Sequence, residues 1–303
     1  MRVHHLNAIS TCPLGGRLMD GRTHSLVHRG ELACHCLLLE TDAGLVLVDT
    51  GLGLRDVAHP RARLSTFFLA LVSPDFRAEM TAARQIEAMG FHAADVRHII
   101  LTHLDFDHAG GLDDFPNAIV HMMQRERDYA LEQRTWLDRQ RFRPQQWGSR
   151  DRWQVYQAGE GETWYGFDSV RPIAALADEV ALVPLAGHTH GHAGVAVRGE
   201  ARWLLLAGDA YFHQDEMDPH EPQCPPGLRF YQAMMEKNRR ARLWNQQRLR
   251  ELKSMHGGEV EVCCSHDVAE FELASGRPSR RPATKMHATH SPRDRFRGSE
   301  TRH

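Results

Sequence analysis

Five apolar runs in this chain each stop at an aspartate or a histidine. Leu45-Val46-Leu47-Val48 meets Asp49, Ile99-Ile100-Leu101-Thr102 meets His103, and Ala181-Leu182-Val183-Pro184-Leu185-Ala186-Gly187 meets His188. Trp203-Leu204-Leu205-Leu206-Ala207-Gly208 meets Asp209, and Glu261-Val262-Cys263-Cys264-Ser265 meets His266. Short apolar runs bounded by glycine and polar residues read as strands. If their carboxyl ends lie along one edge, the polar endings gather in a crevice there. One strand ending in aspartate would mean little, but core packing does not account for five.

The densest of these endings is Leu101-Thr102-His103-Leu104-Asp105-Phe106-Asp107-His108-Ala109-Gly110-Gly111-Leu112. His103, Asp105, Asp107 and His108 stand at i, i+2, i+4 and i+5, a spacing no single helix or strand directs at one point. A strand that stops near Thr102 and turns through a loop into a helix can do so. Imidazole nitrogen mixed with carboxylate oxygen suits Zn²⁺, Fe²⁺ or Mn²⁺ better than Mg²⁺ or Ca²⁺, which prefer oxygen alone. Gly110 and Gly111 let backbone pass close to such a site. The plainer alternative is a polar helix start with aspartate as cap and solvated histidines.

With these five, eight strands are expected in all, at 33–39, 45–48, 98–102, 118–121, 180–185, 193–197, 203–207 and 260–264, with a turn at Asp42-Ala43-Gly44. Helical patterns cover 75–89, 124–133 and 229–253, so strands and helices alternate as in an α/β layered fold. Residues 121–178 read as a helical, aromatic-rich insertion carrying Trp136, Trp147, Trp153, Trp164 and Tyr165. Those rings either line a substrate pocket or anchor the insertion to the body.

At 303 residues, with 42% hydrophobic and 25% charged residues, the composition is that of a globular domain. No stretch of about 18 apolar residues could span a membrane, and the N-terminus lacks an apolar signal core. Six irregularly spaced cysteines make no disulfide framework, so a reduced, cytoplasmic protein is expected. Cys34-His35-Cys36 fits the alternation of a strand better than a metal cluster. From Arg277 onward eight Lys/Arg accompany two Asp/Glu, leaving the tail at +6 and the rest at −8. The chain therefore divides into one domain, 1–276, and a basic tail, 277–303, expected to be disordered.

With these endings in order, the chain resembles the metallo-β-lactamase superfamily from about residue 30 to 272. The family's His-x-His-x-Asp-His is matched by His103-x-Asp105-x-Asp107-His108; its other motifs are matched by Asp49, His188, Asp209 and His266. The resemblance implies a four-layer αββα sandwich and a dinuclear metallo-hydrolase. His103, His188 and residue 105 would bind a first metal, and Asp107, His108 and His266 a second. Asp209 would bridge them and Asp49 would orient ligands from behind. The departure is Asp105, where most relatives carry histidine: a harder, anionic donor that moves preference from Zn²⁺ toward Fe or Mn, with Zn²⁺ still the first expectation. His192 resembles a position that packs behind the site, while His190 reads as a packing or surface residue.

Two ions about 3.5–4 Å apart can share and ionise a water. The hydroxide so formed would attack an ester-type bond in a small-molecule substrate, with Asp107 or Asp209 orienting it. The Ser265-His266-Asp267 ending resembles lactonase-like members, which points to a lactone. Tyr211 is a candidate donor to the oxyanion, with ordinary packing as its alternative. Two other readings remain on this fold: a phosphodiesterase or nuclease, opposed by the acidic body, and an iron redox protein, opposed by the lack of room for a flavin domain. The oligomeric state is not legible.

Overall fold

The computed structural model describes residues 1–159, 161–176 and 179–279. The twelve strands are β1 (Arg2–Asn7), β2 (His35–Thr41), β3 (Gly44–Val48), β4 (Val96–Ile100), β5 (Ile119–Met123), β6 (Trp153–Tyr156), β7 (Glu162–Trp164), β8 (Phe167–Pro172), β9 (Val180–Pro184), β10 (Ala193–Arg198), β11 (Trp203–Leu206) and β12 (Val260–Cys263). They form two six-stranded sheets, ordered β1-β2-β3-β4-β5-β6 and β12-β11-β10-β9-β8-β7.

Side-chain alternation along the strands stacks the layers. Leu37, Leu39, Val46, Val48 and Ile100 face inward and meet Leu182, Val195, Val197 and Leu206 of the other sheet. The intervening Leu38, Leu47 and Ile99 face outward, against Ala82, Ala83 and Ile86 of the helix Ala82–Ala88. On the far side Ala196 and Leu205 pack against Leu249 and Leu252 of the helix Arg239–His256. The result is the αββα sandwich. Among the described residues no helix is long and apolar enough to cross a membrane.

All eight expected strands are present, within two residues at each end. The span 121–178 is not a single insertion. Only its first part is helical (Gln124–Glu132 and Trp136–Arg141), and the remainder supplies β6 to the first sheet and β7 and β8 to the second. Its aromatics anchor it to the body. Trp147 is buried against Trp153, Trp136 stacks edge-on to Phe67, and Trp164 packs on Trp203. The expected helix 229–253 breaks at Lys237–Asn238, whose N–H groups both donate to Gly187 O; the Asn238 side chain then caps the helix Arg239–His256.

The first residues of the expected tail fall within the described part of the chain. Arg277 donates to His5 O at 2.5 Å, and Ser279 O accepts from Asn7 Nδ2 at 2.8 Å, so both residues are seated on the body. The rest of the basic tail, 280–303, lies outside the described residues.

Candidate metal centre

The five polar endings do meet. β3, β4, β9, β11 and β12 all point their carboxyl ends at one rim of the sandwich, where backbone bonds join the two sheets. Ala193 N donates to Thr102 O at 3.0 Å and His35 N to Ser265 O at 2.9 Å. Close approach of backbone is needed at Gly110, where a Cβ would lie 2.5 Å from Asp56 Oδ2. It is needed again at Gly208 (φ 56°), where a Cβ would lie 2.6 Å from His192 Nε2.

His103, Asp105, His188 and Asp209 form one buried group of potential ligands, and Asp107, His108 and His266 a second. In the first, Asp105 Oδ2 lies 3.0 Å from His188 Nε2 and 3.3 Å from His103 Nε2, while Asp209 Oδ2 lies 3.2 and 3.7 Å from those nitrogens. Donors about 2.0–2.1 Å from a tetrahedral ion sit roughly 3.3 Å apart, so this spacing fits zinc. Asp209 turns its other oxygen to the second group, with Oδ1 3.2 Å from both His108 Nε2 and His266 Nε2. One carboxylate thus faces both groups.

Each Nδ1 with a partner faces outward, leaving Nε2 to look into the cluster. His108 Nδ1 pairs with Asp49 Oδ2 at 2.8 Å, His266 Nδ1 with Ala33 O at 2.7 Å, and His103 Nδ1 with Thr102 Oγ1 at 2.9 Å. His103 Nε2, His108 Nε2 and Asp209 Oδ1 are buried without a hydrogen-bond partner among the described residues. Orphaned buried polar atoms are costly, and three converging lone pairs meet that cost together if a cation is bound. The donor set therefore fits a pair of divalent ions. Electrostatics agree: burial alone would raise the Asp209 carboxyl, but His266, His108, His188 and His103 outweigh it and hold it well below the usual range.

The remaining expected residues separate clearly. His192 lies behind the site, accepting from Asp209 N at Nε2 (2.9 Å) and bonding Leu185 O through Nδ1 (3.0 Å). His190 is outside the cluster, stacked edge-on to Tyr129 at 4.5 Å. Tyr211 is buried in the core on the far side of the second sheet, its hydroxyl 3.0 Å from each Glu270 oxygen. That position does not suit an oxyanion donor. The backbone turn after Asp209 sends residue 211 into the core and Phe212 toward the histidines, 4.8 Å from His266 and 5.7 Å from His188 between ring centroids.

Three residues escaped the sequence reading. Arg141, fully buried, forks onto Asp105 and reaches His188; an unexpected buried anion at 105 was the signal that a cation should be near. Tyr231, half-buried on the helix Pro226–Met235, stacks on Phe212 at 6.0 Å. Its phenol is pushed well above the usual range by burial, then by Asp107, Asp105 and Asp209. Glu126 binds the two metal-site loops together, accepting from Leu104 N at 2.9 Å and from Thr189 Oγ1 at 2.5 Å.

Glu126 supports a prediction of its own. Glu126→Ala removes both bonds and leaves a void, at a cost of about 2–4 kcal/mol. Burial first, opposed by those two bonds, lifts its carboxyl from 4.5 to about 7. A raised folded-state pKa means that stability is present at low pH and falls as pH rises from 4.5 to 7. Glu126→Gln mimics the protonated form, so it should match wild type at pH 5 and equal or exceed it at pH 8. Denaturant melts at the two pH values decide this, and a Gln variant as unstable as Ala at both refutes it.

Residues 29–250 match the family profile of the metallo-beta-lactamase superfamily. The chain belongs to that superfamily. Within it, the chain is 39% identical over 274 residues to a probable metallo-hydrolase of Mycobacterium tuberculosis (strain ATCC 25618 / H37Rv), covering 90% of this chain and 83% of that one. It is 27% identical over 215 residues to an N-acyl homoserine lactonase of Bacillus sp, covering 69% and 78%. Among solved superfamily structures, an N-acyl homoserine lactone hydrolase with N-hexanoyl-L-homoserine at its catalytic metal center superposes with TM-score 0.66 at 20% identity, over 89% of this chain and 95% of that chain. A dizinc quorum-quenching lactonase superposes with TM-score 0.53 at 18% identity, over 87% and 84%. These structural likenesses establish the fold.

Proposed function

We propose that this superfamily member is a hydrolase that holds two divalent ions and opens carboxylic esters, lactones first among them. The observation that carries the reading is Asp209, one buried carboxylate presenting an oxygen to each of two ligand groups with unpaired imidazole nitrogens. His103, Asp105 and His188 would hold one ion and Asp107, His108 and His266 the other. Zinc is the first candidate and iron or manganese the alternative that Asp105 keeps open. When bound, the ions supply Lewis acidity and bring the pKa of a water toward neutrality.

The chain's own groups supply the rest. The Asp107 carboxylate, with Oδ2 3.9 Å from His266 Nε2, can orient the attacking water through the oxygen it does not give to the ion. It can accept that water's proton and return it to the leaving alkoxide oxygen. Tyr231 replaces Tyr211 as the donor to the developing oxyanion: its phenol stays protonated under the influence of burial and of Asp107, Asp105 and Asp209, and its ring packs on Phe212, which itself lies against His266 and His188. In a lactone the acyl C–O bond breaks and the ring opens to a hydroxy acid.

Substrate class is argued from the neighbouring surface. An apolar cleft of about 170 Å³, lined among others by Leu32, Leu71, Phe230, Tyr231 and Met234, adjoins a polar one of about 300 Å³ that reaches His266. A small molecule with a polar ring and an aliphatic arm suits the pair. Such lactones are the substrates named for the related lactonases.

The test is chelation followed by reloading with Zn²⁺, Fe²⁺ or Mn²⁺, and assay on acyl-substituted lactones, thioesters and phosphodiesters. Chelation should abolish turnover, and one ion should restore lactone opening. A loaded protein that cleaves only phosphodiesters overturns the reading.

A further inference from the structure

The two ligand groups are not equivalent. Beside Asp107, His108 and His266 no arginine or lysine intrudes among the described residues. Beside His103, Asp105 and His188 stands Arg141, with no exposed surface, in the last turn of the helix Trp136–Arg141. Its Nε donates to Asp105 Oδ1 at 2.6 Å and its Nη2 to Asp105 Oδ2, so the fork engages the whole carboxylate. The same Nη2 lies 2.8 Å from His188 Nε2, the nitrogen a metal would use. Nη1 donates to Met235 O at 2.7 Å and the guanidinium carbon lies 5.2 Å from the centre of the Phe142 ring, so the side chain is tethered at its far end as well.

Charge and geometry explain the arrangement. The family pattern places a neutral imidazole at position 105; this chain places an anion there and, from a helix remote in sequence, a permanent cation against it. The pair restores the formal charge of the histidine. A buried guanidinium without its carboxylate would be strongly unfavourable, so Arg141 has no incentive to leave when an ion arrives. An ion entering the first position must share Asp105 Oδ2 with Nη2, displace the Nη2–His188 contact, and sit close to a fixed positive charge. None of these costs applies at the second position.

Accepting the dinuclear reading above, we propose that Arg141 is a positioning residue that makes the two metal positions fill in order. The Asp107–His108–His266 position fills first. The position shared with Arg141 fills second and more weakly, so the enzyme passes through a one-metal form whose first position carries the guanidinium instead of an ion.

The full chain, stripped by chelation, is titrated with Co²⁺ while visible absorption and protein-bound cobalt are followed. Wild type should bind two equivalents in separate steps, the second about tenfold or more weaker, with a distinct spectrum for each. Because Arg141→Met alone leaves Asp105 buried without its partner and can unfold the chain, the decisive variant is Asp105→His with Arg141→Met. That variant removes both charges, and its two steps should merge to within about threefold, against the 10–100-fold range typical of residues that support metal ligands. Arg141→Lys, which keeps the charge but loses the fork, should retain the two steps. Equal affinities in wild type, or an undiminished gap in the double variant, overturn the inference while leaving the metallo-hydrolase reading standing. A wild type that binds no cobalt overturns both.

Discussion

Replacing Asp209 with alanine should lower hydrolysis of the best lactone by about 10³-fold or more, equivalent to about 4 kcal/mol of barrier. The argument is geometric. Asp209 Oδ2 lies within 3.2–3.7 Å of two histidines on one side, and Oδ1 lies 3.2 Å from two more on the other. Asp209 is the carboxylate with an oxygen toward each group, and it would be the one to serve both ions when they are bound. Bound metal should fall together with kcat, to one equivalent or fewer by elemental analysis of the purified protein. Asp209→Asn keeps the shape but loses the charge and should fall nearly as far. Activity within tenfold of wild type, with two metals retained, would remove the bridge from the mechanism.

The cluster was legible in the sequence because most of its candidate ligands stand at, or in the loop just after, the end of a strand the apolar pattern already marked. A side chain just past a strand end has its position fixed by the sheet, so order and spacing carried the geometry of Asp49, His103, His188, Asp209 and His266. What escaped the sequence comes from elsewhere. Arg141 and Tyr231 sit on helices, in segments whose arginines and aromatics look like surface, and tertiary packing alone aims them inward. β1 was missed because Arg2-Val3-His4-His5-Leu6-Asn7 has too little apolar alternation, although it pairs along its whole length with β2. β6, β7 and β8 lie at or next to the sheet edges, and their polar and aromatic residues (Trp153, Glu162, Trp164, Asp168, Arg171) break the apolar alternation, so the segment imitates an insertion. Tyr211 failed for a similar reason: distance from Asp209 along the chain does not say which way a turn sends the next side chains.

Asp49→Ala should be the most destabilising substitution near the site at a residue that would not itself hold a metal. Its carboxylate, 1% exposed, accepts from Thr102 N at 2.8 Å, from Thr102 Oγ1 at 2.7 Å and from His108 Nδ1 at 2.8 Å. Alanine would strand three buried donors, each costing about 1–3 kcal/mol, so a loss of about 3–6 kcal/mol is expected. A second consequence follows from the His108 contact. Asp49 fixes which imidazole nitrogen carries the proton and keeps Nε2 free to bind, so metal affinity should drop about 10–100-fold in molecules that still fold. Asp49→Asn separates the two effects: an amide can still accept from Thr102 N, which limits the stability loss, but one of its two ends now donates and competes with His108 or Thr102. Chemical denaturation of the metal-free protein measures the first effect, and competition with a chromophoric chelator measures the second. Alanine at position 49 with unchanged stability and unchanged metal affinity would mean that the loop 103–108 holds its shape without this carboxylate.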